Sequence, residues 1–580
     1  MKTARWLIAS ALALAPVPAA AQHLGAFSTQ RLAQVDKEIS ADSFQGRGPG
    51  TPIEPTVIKY IADQLAAAGV QPGGELVNGK RSWFQTVPLL QSAITGTPQI
   101  SLNENGTVVQ LQQGPEIAVL APLNGASKVD IENAPLVFVG YGVDAPERGW
   151  NDFKGQDMHR KVLVALVNDP DFEAAPGDPV AGKFGGKAMT YYGRWTYKFE
   201  EAARQGAAGI ILVHETAPAS YGWEVVQNSN TIPQFDIVRE NPAAEHSQFE
   251  SWIQRPLAVQ LFQRSGLDFE QARVAARSPN FQPIPLKATL TAGYSATPQV
   301  INSHNVVGIL PGKTHPDETI IYSAHWDHLG VGKPDATGDR IYNGAVDNGT
   351  GISQLIEQAR VWAHGPRPDR SIVFLAVTAE EKGLLGSTYY ATHPLYAPGK
   401  TVADLNVDAW LPYGRQKDFT IRGTAKLDLT DYVVAAGKAQ GRYYVPDPHP
   451  ETGGFYRSDH FPFAKVGVPA ISFSEGLDLV NGGTARGEQL ASEYNKLHYH
   501  QPSDEWHADW DWSGVAENAE LLHQVGLRLA NSRDWPNWAP DSEFRAARDA
   551  SAAERTGAAP APQPAPVPAP APAPQKGERG

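Results

Sequence analysis

Between residues 295 and 535 the chain alternates short runs of consecutive apolar residues with amphipathic stretches. Residues 305–310, 319–324, 371–377 and 470–473 are apolar almost throughout, the pattern of strands covered on both faces. Ile352, Leu355, Ile356 and Ala359 share one helical face and predict a helix over 351–363; Val515, Leu522, Val525 and Leu529 predict another over 514–529. A further helix over 60–69 closes on Gly69, a residue suited to the left-handed cap position. Strands and helices in alternation imply an α/β sheet with helices on both faces.

The middle of the chain reads differently. Apolar runs at 136–140, 161–167 and 206–213, with one helix near 197–205, suggest a separate, mainly β unit. We expect it to be an insertion over 96–295, between a first part (22–95) and a second part (296–540) of the α/β domain. There is no internal repeat.

Both ends differ from the body. Lys2 and Arg5 precede an apolar run over 6–15 and the small-residue run Ala19-Ala20-Ala21, which predicts an export signal over 1–21, cleaved after Ala21. That run is shorter than the ~20 residues of a membrane span, so we expect a secreted or periplasmic protein without stable membrane insertion. The stretch 541–580, almost purely Ala and Pro from 558 onward, is expected to be a disordered tail.

Composition narrows the chemistry. A length of 580 residues fits two to four domains. The formal net charge of -13 argues against nucleic acid and anionic membranes as partners. With no cysteine, thiolate nucleophiles and Cys-ligated metals are excluded, so any metal falls to the 16 His and 62 acidic residues.

In open α/β sheets the chemistry gathers at the carboxyl ends of strands. Residues 319–324 lead into His325-Trp326-Asp327-His328, where alternation sends His325 and Asp327 to one side. Asp347 follows a glycine-containing turn just before the 351–363 helix, where it would serve as a ligand or as a simple N-cap. Glu380 and Glu381 follow 371–377, Asp408 follows another short apolar stretch, and His498-Tyr499-His500 precedes the last helix. Two histidines, three carboxylates and one spare glutamate make the inventory of a two-metal hydrolytic site.

His325-Trp326-Asp327, Asp347-Asn348-Gly349, Glu380-Glu381, Asp408 and Tyr499-His500, in this order, resemble the M28 family of zinc exopeptidases, and Ser458-Asp459-His460-Phe461-Pro462 resembles another of its segments. Gly46-Arg47-Gly48-Pro49-Gly50 fits the family's opening, and the 96–295 segment is similar to a protease-associated (PA) domain. The resemblance implies a mixed-sheet, phosphorylase/hydrolase-like domain that binds two Zn2+. Asp347 would bridge them, with His325 and Asp408 on one ion and Glu381 and His500 on the other. It further implies attack by a metal-bridging water with Glu380 as general base, Asp327 orienting His325, and Tyr499 (with Tyr456 in reserve) facing the oxyanion. His328 and His498 are read as lying outside the ligand set, Asp459 and His460 as holding their loop, and Asp504 as a support for His500 or a loop cap. Peptides are the expected substrates, cut at the N-terminus, with the insert partly walling the cleft. A carboxypeptidase or dipeptidase using Arg457 to hold a free carboxylate is the alternative. A receptor-like protein of the same fold would be expected to have lost ligands that are all present here.

Overall fold

The computed structural model describes residues 27–104, 106–423 and 426–556. The expected export signal, and the part of the expected 541–580 tail beyond residue 556, lie outside them; residues 541–556 are not disordered as expected but carry two short helices, Arg545–Ala550 and Ala552–Thr556, with Phe544 and Arg548 buried against the body. In chain order the elements that matter here are helices α1 (Thr29–Ile39) and α2 (Glu54–Ala68), then strands β1 (Phe84–Glu104), β2 (Lys128–Phe138) and β3 (Val162–Leu166). Helix α3 (Trp195–Arg204) and strands β4 (Gly209–His214), β5 (Phe249–Gln254), β6 (Ile284–Leu310) and β7 (His315–His325) follow. Next come α4 (Thr350–His364), β8 (Arg370–Val377), β9 (Thr401–Val407) and β10 (Ala470–Glu475), then α5 (Gly483–Leu497) and α6 (Ser513–Ala530).

Strands β10, β9, β7, β8 and β6 lie side by side; β7 is parallel to β8 and β9, β9 to β10, and β6 is antiparallel to β8, so the sheet is mixed. All eight residues of β8 and all seven of β9 are buried; in β8 this leaves an unbroken apolar run from Ile372 to Val377, whereas β9 carries Asp404 and Asn406 inside, where the Ser323 hydroxyl meets both. Alternation divides them between two cores. Ile320, Tyr322, Ile372 and Phe374 pack with α1, α2, α4 and α6, whereas Ile321, Val373 and Leu375 pack with Tyr390 and Phe463 on the opposite face. Gly69 ends α2 at φ 99°, and its N–H and that of Val70 bond back to Ala66 and Leu65, as the sequence predicts.

Residues 100–294 build two cores of their own. Strands β2, β3, β4 and β5 run parallel there, with α3 crossing from β3 to β4. What joins this region to the sheet of β7–β10 is a ribbon: β1 and β6 pair antiparallel from Phe84 with Val306 to Glu104 with Ala288, with a register shift between Gly293 and Ser295. The upper end of β6 pairs with β2 and its lower end with β8. Among the described residues no helix is long and apolar enough to cross a membrane.

Candidate metal centre

Because β7, β8 and β9 are parallel, their carboxyl ends meet at one edge of the sheet. β7 ends on His325 itself, β8 is followed within four residues by Glu380 and Glu381, and β9 is followed directly by Asp408. The remaining ligand candidate, Asp347, sits in the turn before α4, and three other residues fix that turn. The buried guanidinium of Arg47 donates to the carbonyls of Ile39, Trp326, Asn343 and Gly344. Asp504 accepts from the N–H groups of Val346 (3.0 Å) and Asp347 (3.1 Å) and from the Tyr494 hydroxyl. Asn348 Oδ1 accepts from Gly351 N–H at 2.9 Å and so supplies the cap of α4, which releases Asp347 from that duty. Gly344, at φ 58°, is required here: a Cβ would stand 2.6 Å from the His328 ring and 2.2 Å from the Asp347 carbonyl oxygen.

The structure brings the five predicted ligands together. His325 Nε2 lies 3.3 Å from Asp347 Oδ1 and 3.2 Å from Asp408 Oδ1. On the other side of Asp347, His500 Nε2 lies 3.2 Å from its Oδ2 and 3.1 Å from Glu381 Oε2. Asp347 thus presents one oxygen to each group. Tetrahedral ligands with metal bonds of ~2.0–2.1 Å stand about 3.3 Å from one another, so these separations fit a divalent cation held by imidazole and carboxylate. His325, Asp347 and Asp408 converge as one such group, and His328, Asp347 and Glu381 as a second. His500 Nε2 and Glu381 Oε1 are buried without an aligned hydrogen bond, as atoms intended for a cation would be.

The electrostatics are those of a strongly anionic site. Burial pulls His500 down, but Glu381 and Asp347 outweigh it and hold the imidazole up at about 10. Burial likewise opposes ionisation of Asp347, yet His325 and His500 keep its carboxyl well below the usual range. Glu380 behaves in the opposite way. Burial, reinforced by Asp408, Glu381 and Asp459 and only partly offset by His325, raises it well above an ordinary glutamate. Its Oε2 is 3.9 Å from His325 Nε2, adjacent to the ligands but not one of the converging groups.

Several expectations are corrected. Asp327 does not face His325 through its carboxylate: Nδ1 of His325 meets the main-chain carbonyl of Asp327 at 3.1 Å, and Oδ1 is 3.9 Å away. The carboxylate instead accepts from the N–H groups of Glu380 (3.0 Å) and Glu381 (3.4 Å), so it sets the turn that carries both glutamates. Of the two roles expected for Asp504, the structure shows the loop cap, on the N–H groups of Val346 and Asp347. His498 turns away to Ser503. Tyr456 is buried and donates to Glu543 at 3.1 Å, which removes it as a reserve for Tyr499. Asp459 accepts from Ser387, and buried His460 packs edge-on against Phe455, in line with roles inside their loop.

Tyr499 stacks on His500 at 3.9 Å between ring centroids and lines a cavity of about 600 Å³ with Asp347, Glu380 and Asp408. Arg422, Arg457 and Glu475 form part of the far wall. Among the described residues, none lining this cavity comes from 96–295. That segment buttresses the surroundings: Met189 N–H bonds the Pro450 carbonyl at 3.1 Å, and Ile237 packs with Ala379 and Leu385 beside the two glutamates.

A parallel-strand edge that gathers imidazoles and carboxylates around a shared aspartate defines a metal-dependent hydrolase type of site. Residues 305–526 match the model of Peptidase family M28. Among curated proteins it is 32% identical over 182 residues to aminopeptidase YwaD of Bacillus subtilis, covering 30% of this chain and 36% of that protein. It is 30% identical over 201 residues to leupeptin-inactivating enzyme 1 of Streptomyces exfoliatus, covering 32% and 40%. The matched stretch thus spans two fifths or less of either relative. A solved aminopeptidase from Aneurinibacillus sp. strain AM-1 superposes with a TM-score of 0.49 at 18% identity, over 89% of this chain and 97% of that one.

Proposed function

We propose that the protein is an exported aminopeptidase with a dinuclear zinc centre, its 96–295 segment a PA-like insert. The observation that carries this reading is Asp347, with one oxygen toward His325 and the other toward His500, and with Glu380 left free beside them. Asp347 would be shared by the two ions, with His325 and Asp408 on one side and Glu381 and His500 on the other. When bound, two zinc ions there supply Lewis acidity that makes water a nucleophile near neutral pH. Glu380 takes the proton of the attacking water and passes it to the leaving amine; its raised affinity for protons suits it to both halves of that transfer. Asp327 holds the Glu380 and Glu381 N–H groups and so sets the reach of the base. The Tyr499 ring is exposed on one side (39%), but its phenol end is crowded in the site; that burial and the charges of Asp347 and Glu381 push the phenol up, so it keeps its proton and can donate to a developing oxyanion.

Glu475, a wall carboxylate assigned neither to the metal centre nor to the base, favours a substrate with a free ammonium group. Arg422 is occupied by the Asp408 carbonyl, whereas Arg457 is exposed at the cavity and is the residue that favours the second reading, a carboxypeptidase. A leucine-type aminoacyl chromogen, its N-acetylated form and a set of dipeptides separate the two. Cleavage of free-amine substrates alone, lost with chelator, supports the aminopeptidase; cleavage of N-blocked peptides with free C-termini replaces it with the carboxypeptidase.

A further inference from the structure

His328 is not one of the five residues that the family pattern supplies, yet it is fully buried and points into the same cluster. Its Nδ1 lies 2.7 Å from Glu381 Oε1, and Nδ1, Asp347 and Glu381 converge closely enough to share one ion. The contact is not an aligned hydrogen bond: both ring nitrogens and Glu381 Oε1 lack a hydrogen-bonding partner. A buried imidazole without an aligned hydrogen bond costs free energy unless something else meets its nitrogens. At 2.7 Å the pair is closer than the about 3.3 Å that ligands of one tetrahedral ion keep, so the two atoms would part slightly to hold one between them.

The position is fixed from several sides. The His328 N–H bonds the Arg47 carbonyl, its ring edge meets that of His500 with centroids 5.7 Å apart, and Gly344 has no Cβ to displace it. Three unrelated segments thus keep this ring against Glu381.

We infer that His328 joins Asp347, Glu381 and His500 as a ligand of the second cation. The inference rests on the metal-centre reading above. It makes the two sites chemically unequal: His325, Asp347 and Asp408 offer one imidazole, whereas the second set offers two. Imidazole favours zinc, cobalt and nickel over magnesium or calcium, so the second site should hold transition metals more tightly and release them last.

The test is metal binding, not activity. In the cobalt-loaded protein, 1H NMR should show three strongly shifted, exchangeable imidazole N–H signals, one each from His325, His328 and His500. H328A and H328N should lose one signal, and competition with a zinc-buffering chelator should show the tighter of the two sites weakened roughly 10–100-fold or more, the range for loss of a metal-supporting residue. The weaker site should be unchanged. Two cobalt ions bound with only two such signals in the wild type would overturn the inference while leaving the dinuclear reading intact. Failure to bind cobalt at all would overturn both. The wild-type spectrum needs no substitution, so a variant that does not fold leaves the test standing.

Discussion

Two buried clusters in this molecule use the same residue types to opposite ends. In the insert, His246 stands between Asp236 (3.1 Å) and Glu250 (3.2 Å), and Arg239 donates twice to Asp236. Two positive groups answer two carboxylates. Burial pulls His246 down, but Glu250 and Asp236 prevail and raise it to about 10, while Asp236 stays below the ordinary range. At the metal centre Asp347, Glu380, Glu381 and Asp408 surround three imidazoles, several of whose nitrogens have no aligned partner. The first cluster is complete with protons alone and works as a brace. The second leaves lone pairs converging on places that no side chain fills, which is the demand a divalent cation meets.

The contrast can be broken or sharpened experimentally. E380Q should lower kcat by about 10²–10⁴-fold, the usual contribution of a general base, with bound zinc unchanged. Loss of zinc in that variant would make Glu380 a ligand and cancel its proposed role. H246A should instead leave peptidase kinetics alone and destabilise the fold by roughly 3–5 kcal/mol, since it strands buried carboxylates. Its pH behaviour carries a sign. A histidine raised from 6.5 to about 10 on folding stabilises fully below pH 6.5, and that contribution is lost as pH rises toward 10. Thermal melts of the wild type should therefore decline across that window, and those of H246Q should decline less. The smallest effect is expected from D327N, which keeps one acceptor for the Glu380 and Glu381 N–H groups. Activity and zinc affinity should fall by about 10–100-fold, measured by kinetics and chelator competition.

Much of the sheet was legible because strands covered on both faces are mostly apolar, as Ile372 to Val377 of β8 are; β9, with Asp404 and Asn406 buried in it, offers only a short apolar stretch. The ligands were legible because parallel strands put their ends at one edge. Alternation misled at Asp327, because β7 stops at His325 and the period of two stops with it. For the same reason nothing in the sequence could give the direction of His328. Arg47 and Asp504 act through bonds to main-chain groups across hundreds of residues, which leave no local pattern. The pairing of β1 with β6 joins segments about 200 residues apart, and a sequence read element by element has no means of seeing it.

That ribbon bears on how the protein could be taken apart. Pairing runs from beside the peptidase core to the far end of the insert, so both regions share one strand register. A slip of a single residue would turn the inward side chains of both regions outward at once. Trimming the insert to a short hairpin would thus amount to re-registering the peptidase sheet, unless the cut keeps the pairing of Phe84 with Val306 through Leu90 with Val300 and closes the turn just beyond it.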